Sequence, residues 1–468
     1  MAWKSILVAC VLAASAFGQT AREILTELIS INTTDSVGDN TAAAQAMAKR
    51  LLAAGYPAAD VQVLTPAGRP TKGNLVARLR SKGSTLKPFL FFGHLDVVEA
   101  RRADWTTNPF ELVEKDGYLY GRGTQDVKAL DAVMMATFIG LKQEGYVPPR
   151  DLILALTADE EGGTANGADW LLKNHRALVD AEIALNVDMG GVSTEKGKAT
   201  SIEVTAAEKL YADFQLLVTN PGGHSSRPTP ENAIYRLAHA LERVEKSPFP
   251  FELNPVTRVF FESVAGSETP ERKAQIQGIL GPKPTTAALA AFSADPRFNG
   301  LTHTTCVATR LDAGHANNAL PQRATALVNC RILPGHSAAE VQAELIRKVG
   351  DAKVTVGYVD GKTEKVLEKA PEEKAITPVT PRKDVMEAIR RTGDSFWPGA
   401  PLVVDMATGA SDSKYTAALG IPSYGIGMLA VDHDDVRAHG RDERIRTASF
   451  NEAAEFNYRF VKALLADR

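Results

Sequence analysis

Cysteine is scarce in this sequence: three in 468 residues, Cys10, Cys306 and Cys330. That excludes a disulfide-built scaffold and a cysteine-rich zinc module. Any bound metal must then be held by His, Asp and Glu. An excess of charge of one sign is also missing. Lys plus Arg number 53 and Asp plus Glu 56, a net charge of −3. This excludes the basic balance of a nucleic-acid binder and a long charged tail. Internal repeats, low-complexity tracts and long apolar runs are absent beyond the N-terminus. What remains is ordinary for a soluble globular protein, 44% hydrophobic and 23% charged, with length for two or three domains.

The apolar exception is Met1–Thr20. Lys4 precedes Ile6–Phe17, and Ala16 and Gly18 stand at −3 and −1 of a cleavage before Gln19. This is the pattern of a secretory leader, residues 1–18, and the run is too short to span a ~30 Å hydrocarbon core. The alternative is a buried N-terminal helix. Leu7–Cys10 resembles a lipobox but comes too early to follow a useful apolar stretch. A leader implies a periplasmic or secreted protein, free of the membrane after cleavage, with a net charge of −4 once Lys4 is gone. Export permits a cross-strand disulfide between Cys306 and Cys330, in β-like runs Thr304–Leu311 and Thr325–Leu333. Two buried free thiols are the favoured reading.

Up to about Thr205, helix and strand signals alternate. Ala42–Ala54 and Lys128–Glu144 read as helices closed by Gly55 and Gly145. Leu75–Leu79, Pro88–Gly93, Leu152–Thr157 and Glu182–Val187 read as buried strands. Such alternation predicts an α/β domain with a mainly parallel sheet. From Ala207 the order becomes strand, helix, an irregular Pro- and Ala-rich stretch Pro248–Asn299, hairpin, helix Ala338–Val349 and strand Val354–Val359. That suits an inserted α+β two-layer sandwich. Asp360–Thr380 reads as the return linker, followed by a helix from Asp384, a strand Pro422–Gly427 and a closing helix Phe450–Leu465. The expected division is a catalytic domain over 19–206 and 361–468, with an insert over 207–360.

Three buried strands end in polar clusters: His94-Leu95-Asp96, Asp159-Glu160-Glu161 and Asp188. Sites in open α/β sheets form at the carboxyl ends of strands, so these clusters are expected to converge. Each alone has a plain alternative. His94 and Asp96 suit a ligand with its orienting carboxylate, or a solvated loop pair. Asp126, in a glycine-rich approach to a helix, suits a two-metal bridge or a helix N-cap. Glu160-Glu161 suits a base beside a ligand, or an acidic turn. Asp188, before Met189-Gly190-Gly191, suits a ligand or a tight turn. His439 suits a ligand or a surface histidine. Together, two imidazoles and three carboxylates give each of two metals three ligands and an open position, the donor set of catalytic Zn²⁺, with Mn²⁺ or Co²⁺ as substitutes.

These residues, in this order, resemble the di-zinc exopeptidase family of aminoacylase, glutamate carboxypeptidase and succinyl-diaminopimelate desuccinylase. The resemblance spans nearly the whole mature chain. It rests on Gly93-His94-Leu95-Asp96-Val97-Val98, Gly121-Arg122-Gly123 through Asp126 and Lys128, Asp159-Glu160-Glu161-Gly162, and His439. It implies a zinc-peptidase catalytic domain with an inserted lid or dimerisation domain. His94, Asp126 and Asp188 would hold one zinc, and Asp126, Glu161 and His439 the other. Asp96 would orient His94, Glu160 would be the general base, and the peptide after Asp126 would be cis. Gly222-Gly223-His224-Ser225-Ser226 resembles the segment whose histidine stabilises the oxyanion, across the subunit boundary in dimeric members. Asn318-Ala319-Leu320-Pro321 resembles a pocket loop, and Arg331 the anchor for a substrate carboxylate. Gly409-Ala410-Ser411-Asp412 resembles the substrate loop, with Gly409 and Ser411 as contacts. Ala129 and Leu210 stand where the family often has Gly, and Pro248–Asn299 is longer than in compact members. The expected activity is hydrolysis of small peptides with a free carboxylate, in a possible homodimer. The rivals are an N-acyl-amino-acid amidohydrolase and, from another class, a non-catalytic binding protein on the same scaffold.

Overall fold

The computed structural model describes residues 18–466 except 267 and 362. The expected leader lies outside the described residues but for Gly18. Among the described residues, no helix is long and apolar enough to cross a membrane. The chain forms two compact units. The first comprises residues up to Ala206, Pro381–Val404 and Ser411–Arg468, and the second Ala207–Thr380 with Asp405–Ala410. The second unit thus runs to Thr380, past the expected return at residue 360.

In the first unit, Asp39 caps α1 (Asn40–Ala53) by accepting from the Ala42 N–H. Strands β1 (Val61–Leu64), β2 (Asn74–Leu79), β3 (Phe89–His94), β4 (Leu152–Thr157) and β5 (Ile183–Asn186) follow, with α2 (Lys128–Gln143) between β3 and β4. β6 (Gly191–Glu195) and β7 (Lys198–Glu208) complete this part. All six residues of both β3 and β4 are buried, because helices cover both sheet faces. Phe89 and Phe91 pack on one face with α2, while Leu90 and Phe92 pack on the other with Leu171 and Ile421.

The second unit opens with β8 (Leu210–Thr219) and α3 (Ala233–Lys246). The stretch expected to be irregular holds four short helices: α4 (Pro255–Val264), α5 (Pro270–Leu280), α6 (Thr286–Ala294) and α7 (Pro296–Thr302). Asn254, Thr269, Thr285 and Asp295 cap their N-termini, and Pro stands in the first turn of three. Phe261, Phe292 and Phe298 bind α4, α6 and α7 together, with ring centroids 4.9–5.3 Å apart. Then come β9 (Thr305–Ala313), β10 (Arg323–Ile332), α8 (Ala338–Val349), β11 (Thr355–Val359) and β12 (Val366–Leu367). The strands form an antiparallel sheet in the order β9-β10-β8-β11-β12. Its apolar face, Phe214, Leu216, Val328 and Ile332, packs with Leu237 of α3 and Leu345 of α8. Cys306 lies opposite Cys330 in the β9–β10 ladder, and the two form a disulfide. This corrects the expectation of free thiols.

The return adds α9 (Lys383–Gly393), β13 (Ser423–Gly425), β14 (Ala430–Asp432) and α10 (Thr447–Ala466) to the first unit. Its mixed sheet runs β1-β2-β4-β3-β5-β13-β7-β6-β14, with a tenth strand beside β7. The centre, β4-β3-β5-β13, is parallel. The carboxyl ends of β4, β3 and β5 therefore lie side by side.

Candidate metal centre

His94 is the last residue of β3 and is buried. Gly93 before it has no room for a side chain. A Cβ there would stand 2.3 Å from Asp131 Oδ1 and 2.8 Å from Val187 Cγ2. His94 Nδ1 donates to the main-chain oxygen of Asp96 at 3.0 Å, which leaves Nε2 facing the site. The Asp96 carboxylate, expected to be the partner, is 3.6 Å from Nδ1. It accepts instead from the N–H groups of Glu160 and Glu161, at 3.1 and 2.9 Å. Asp96 thus sets the imidazole through its backbone and the acidic turn through its side chain.

Around His94 Nε2 stand Asp126 Oδ1 at 3.2 Å and Asp188 Oδ1 at 3.6 Å. His439 Nε2 lies 2.9 Å from both Asp126 Oδ2 and Glu161 Oε2. The five expected ligands are therefore together, with Asp126 between the two imidazoles. Asp126 does not cap α2, whose N-cap is Val127 without a side-chain cap bond. The Asp126–Val127 peptide is cis, as the resemblance implies.

The site fits a divalent cation. His94, Asp126 and Glu161 each offer a ligand atom, all within 4.8 Å of one another. His94 Nε2 and Asp126 Oδ1 are buried and face each other at 3.2 Å, with no other hydrogen-bond partner among the described residues. Burial, with Asp412, Asp188 and Glu161 nearby, pushes the Glu160 carboxyl up to about 9 despite His94. Burial and then Asp126 push Glu161 up to about 8. Against the upward push of burial, His439 and His94 hold Asp126 well below the usual range. Hydrogen bonding to Asp126 raises His439 to about 9. Crowded carboxylates with raised affinity for positive charge are what a metal site offers.

Residues 90–463 match the model of peptidase family M20/M25/M40. The chain belongs to this family. It is 27% identical over 401 residues to "Probable carboxypeptidase S-like 2" of Dictyostelium discoideum, covering 83% of this chain and 74% of that protein. It is also 27% identical over 403 residues to "N-fatty-acyl-amino acid synthase/hydrolase PM20D1" of Bos taurus, covering 83% and 77%. In fold it is similar to the M20 family metallo-carboxypeptidase Sso-CP2 from Sulfolobus solfataricus. The TM-score is 0.66 at 17% identity, over 95% of this chain and 99% of that one. As an M20 peptidase it is a metallohydrolase of mixed α/β fold.

The remaining expected residues lie as follows. In the second unit, Gly223–His224 pairs with Ala319–Leu320, and Ser225 N–H donates to Asn318 O at 3.0 Å. His224 and the Asn318 loop are thus neighbours, both exposed. His224 Nδ1 accepts from Ser226 N–H at 3.1 Å, so its neutral form carries the proton on Nε2. Arg331 lies 4.7 Å from the centre of the Tyr211 ring and, among the described residues, has no carboxylate partner. Gly409 is exposed. Ser411 is buried, and its Oγ accepts from Asn186 Nδ2 at 3.2 Å.

Glu443 was not foreseen. It is fully buried and receives the Arg122 guanidinium and three backbone N–H groups of the Asp126 loop. The segment around it is polar throughout, so no sequence pattern marks it.

Proposed function

We propose that this M20 metallohydrolase cleaves the amide bond of small peptides that carry a free C-terminal carboxylate, as a carboxypeptidase or dipeptidase. The observation that carries the substrate class is Arg331, a guanidinium with no carboxylate partner among the described residues. Its fork suits a substrate carboxylate. Two divalent ions are part of the proposal, zinc by donor type, with Mn²⁺ or Co²⁺ as substitutes. One would be held by His94, Asp126 and Asp188, and the other by Asp126, Glu161 and His439. When bound, such ions polarise the amide carbonyl and acidify the attacking water.

Glu160 accepts the proton of that water and delivers it to the leaving amine nitrogen. The geometry around Asp96 supports this role, since its carboxylate fixes the backbone of Glu160. His224 donates from Nε2 to the oxyanion, a role supported by Ser226 at Nδ1. Asn318, Gly409 and Ser411 remain substrate contacts in this reading. The homodimer also stays in it, supported by the outer strand β9 with its exposed Val307 and Leu311. Sedimentation velocity tests it. A periplasmic or secreted location is supported by the leader pattern and the disulfide.

A second reading, N-acyl-amino-acid hydrolysis, is favoured by the name and extent of the Bos taurus relative. It uses the same residues and differs in the acyl side of the substrate. One panel separates the two: N-blocked dipeptides, free dipeptides and N-acyl amino acids, with zinc, each beside its C-terminally amidated twin. Turnover of the free acids alone supports the Arg331 anchor, and their ranking chooses between the readings. Equal turnover of the amides overturns the carboxylate requirement. Glu160→Gln is expected to lose about 10²–10⁴-fold in kcat with metal still bound. Turnover at the wild-type rate refutes the base.

A further inference from the structure

We infer that Glu443 is a positioning residue for the metal centre, holding the loop of Asp126 against the loop of His439 so that both ligands are presented together. The inference rests on the two-ion reading above. Asp126 and His439 come from distant parts of the chain, and neither stands on a regular element. His439 has φ +63°, the left-handed region, which a non-glycine residue keeps only when its surroundings impose it. Yet His439 Nε2 lies 2.9 Å from Asp126 Oδ2. Something must fix two irregular loops to that tolerance.

Glu443 does so with every acceptor position it has to spare. Its Oε1 accepts from Gln125 N–H at 2.6 Å and from Asp126 N–H at 3.0 Å. Its Oε2 accepts from Arg122 Nη1 at 2.6 Å and from Gly123 N–H at 3.1 Å. Arg122 is itself buried and reaches on through Nη2 to Gly440 O at 3.0 Å and His439 O at 3.4 Å. One carboxylate–guanidinium pair therefore touches the backbone of both proposed ligands.

The Gln125 amide closes the other side. Its Nε2 donates to Asp435 O and Arg444 O, and its Oε1 accepts from Arg437 N–H and Ala438 N–H, all within 3.1 Å. A buried ion pair adds little net stability over an apolar pair of equal volume. Stability alone thus gives no reason for a charge pair here, whereas alignment of ligand loops does. Residues that orient metal ligands from behind usually change metal affinity 10–100-fold when replaced.

The test is Glu443→Gln. Each oxygen of Glu443 faces two donors, so either orientation of the amide sets its NH₂ against donors and leaves Arg122 without a counter-charge. Zinc binding is titrated against a chromogenic chelator, beside circular dichroism and the Tm of the metal-free protein. The expected result is a folded variant whose weaker ion is bound 10–100-fold less tightly than in the wild type. A variant that binds both ions within about twofold of the wild-type Kd overturns the inference, including one whose metal-free Tm has dropped. If Glu443→Gln does not fold, Gln125→Ala is read by the same criterion. A wild type that binds fewer than two ions instead overturns the two-ion reading, and the inference with it.

Discussion

Arg331→Met removes the proposed carboxylate anchor and keeps much of the side chain's apolar bulk. A guanidinium offers two parallel N–H donors to a carboxylate, and hydrogen bonds to charged groups contribute about 1.5–3 kcal/mol each. Arg331 is only half-buried, so a total near the low end, about 3 kcal/mol, is the reasonable figure. That corresponds to roughly 10²-fold in kcat/KM. The loss should appear on substrates with a free C-terminus and be absent on their amides. Tyr211 supplies an internal check. Its ring lies under the guanidinium at 4.7 Å, and its hydroxyl donates to Asp213 at 2.7 Å. Exposed cation–π contacts contribute about 0.5–1 kcal/mol, so Tyr211→Leu should raise KM for the free acid about 2- to 5-fold. Because the ring acts through Arg331, the double variant should be no worse than Arg331→Met alone. Initial-rate kinetics on one acid–amide pair decide the matter. Equal losses on acid and amide, or full additivity of the two substitutions, would refute the reasoning.

Lys209 is buried and donates to Gly300 O and His303 O, with no acidic partner among the described residues, and burial, then Arg331, lower it to about 7. Between pH 7 and about 10.4 the unfolded chain alone holds that proton, so stability should rise with pH across this window, by at most roughly 5 kcal/mol. Denaturation of wild type and Lys209→Met at both ends checks it, since the variant should lack that part of the slope. At Gly167, an added Cβ would stand 1.8 Å from Asn74 Oδ1, which accepts from Ala158 N–H at the end of β4. Gly167→Ala should cost about 1–3 kcal/mol and lower Tm by roughly 2–10 °C, with an unchanged Tm counting against the geometry. Cys306→Ser with Cys330→Ser opens a link of sequence separation 24. By the chain-entropy model it should destabilise the second unit by about 3 kcal/mol, read from urea unfolding with and without reductant.

The sequence was most legible where strands are buried on both faces. β3, β4 and β5 are apolar but for their last residues and run straight into His94, Asp159-Glu160-Glu161 and Asp188, and parallel neighbours bring such ends together. It was least legible where tertiary contacts decide. The prolines at 255, 270 and 296 lie in a stretch expected to be irregular, yet each opens a short helix, and the phenylalanine cluster ties those at 255 and 296 to α6. The disulfide needed the β9–β10 register, which composition does not contain. Asp96 shows the same limit at a single residue: His94 donates to its main-chain oxygen, while its carboxylate accepts from the N–H groups of Glu160 and Glu161. Glu443 is buried and paired with Arg122 whereas its acidic neighbour Asp442 is only part-buried, a difference that only the tertiary contacts reveal.

The disulfide has a further effect on the exposed turn between β9 and β10. Residues 314–318 are all solvent-exposed, and such tips are where proteases cut first. They lie inside the covalent ring closed by Cys306 and Cys330, and so does the Ala319–Leu320 segment that pairs with His224. A single cut at the tip would therefore leave both fragments joined. A nicked molecule would still migrate as one chain until it was reduced.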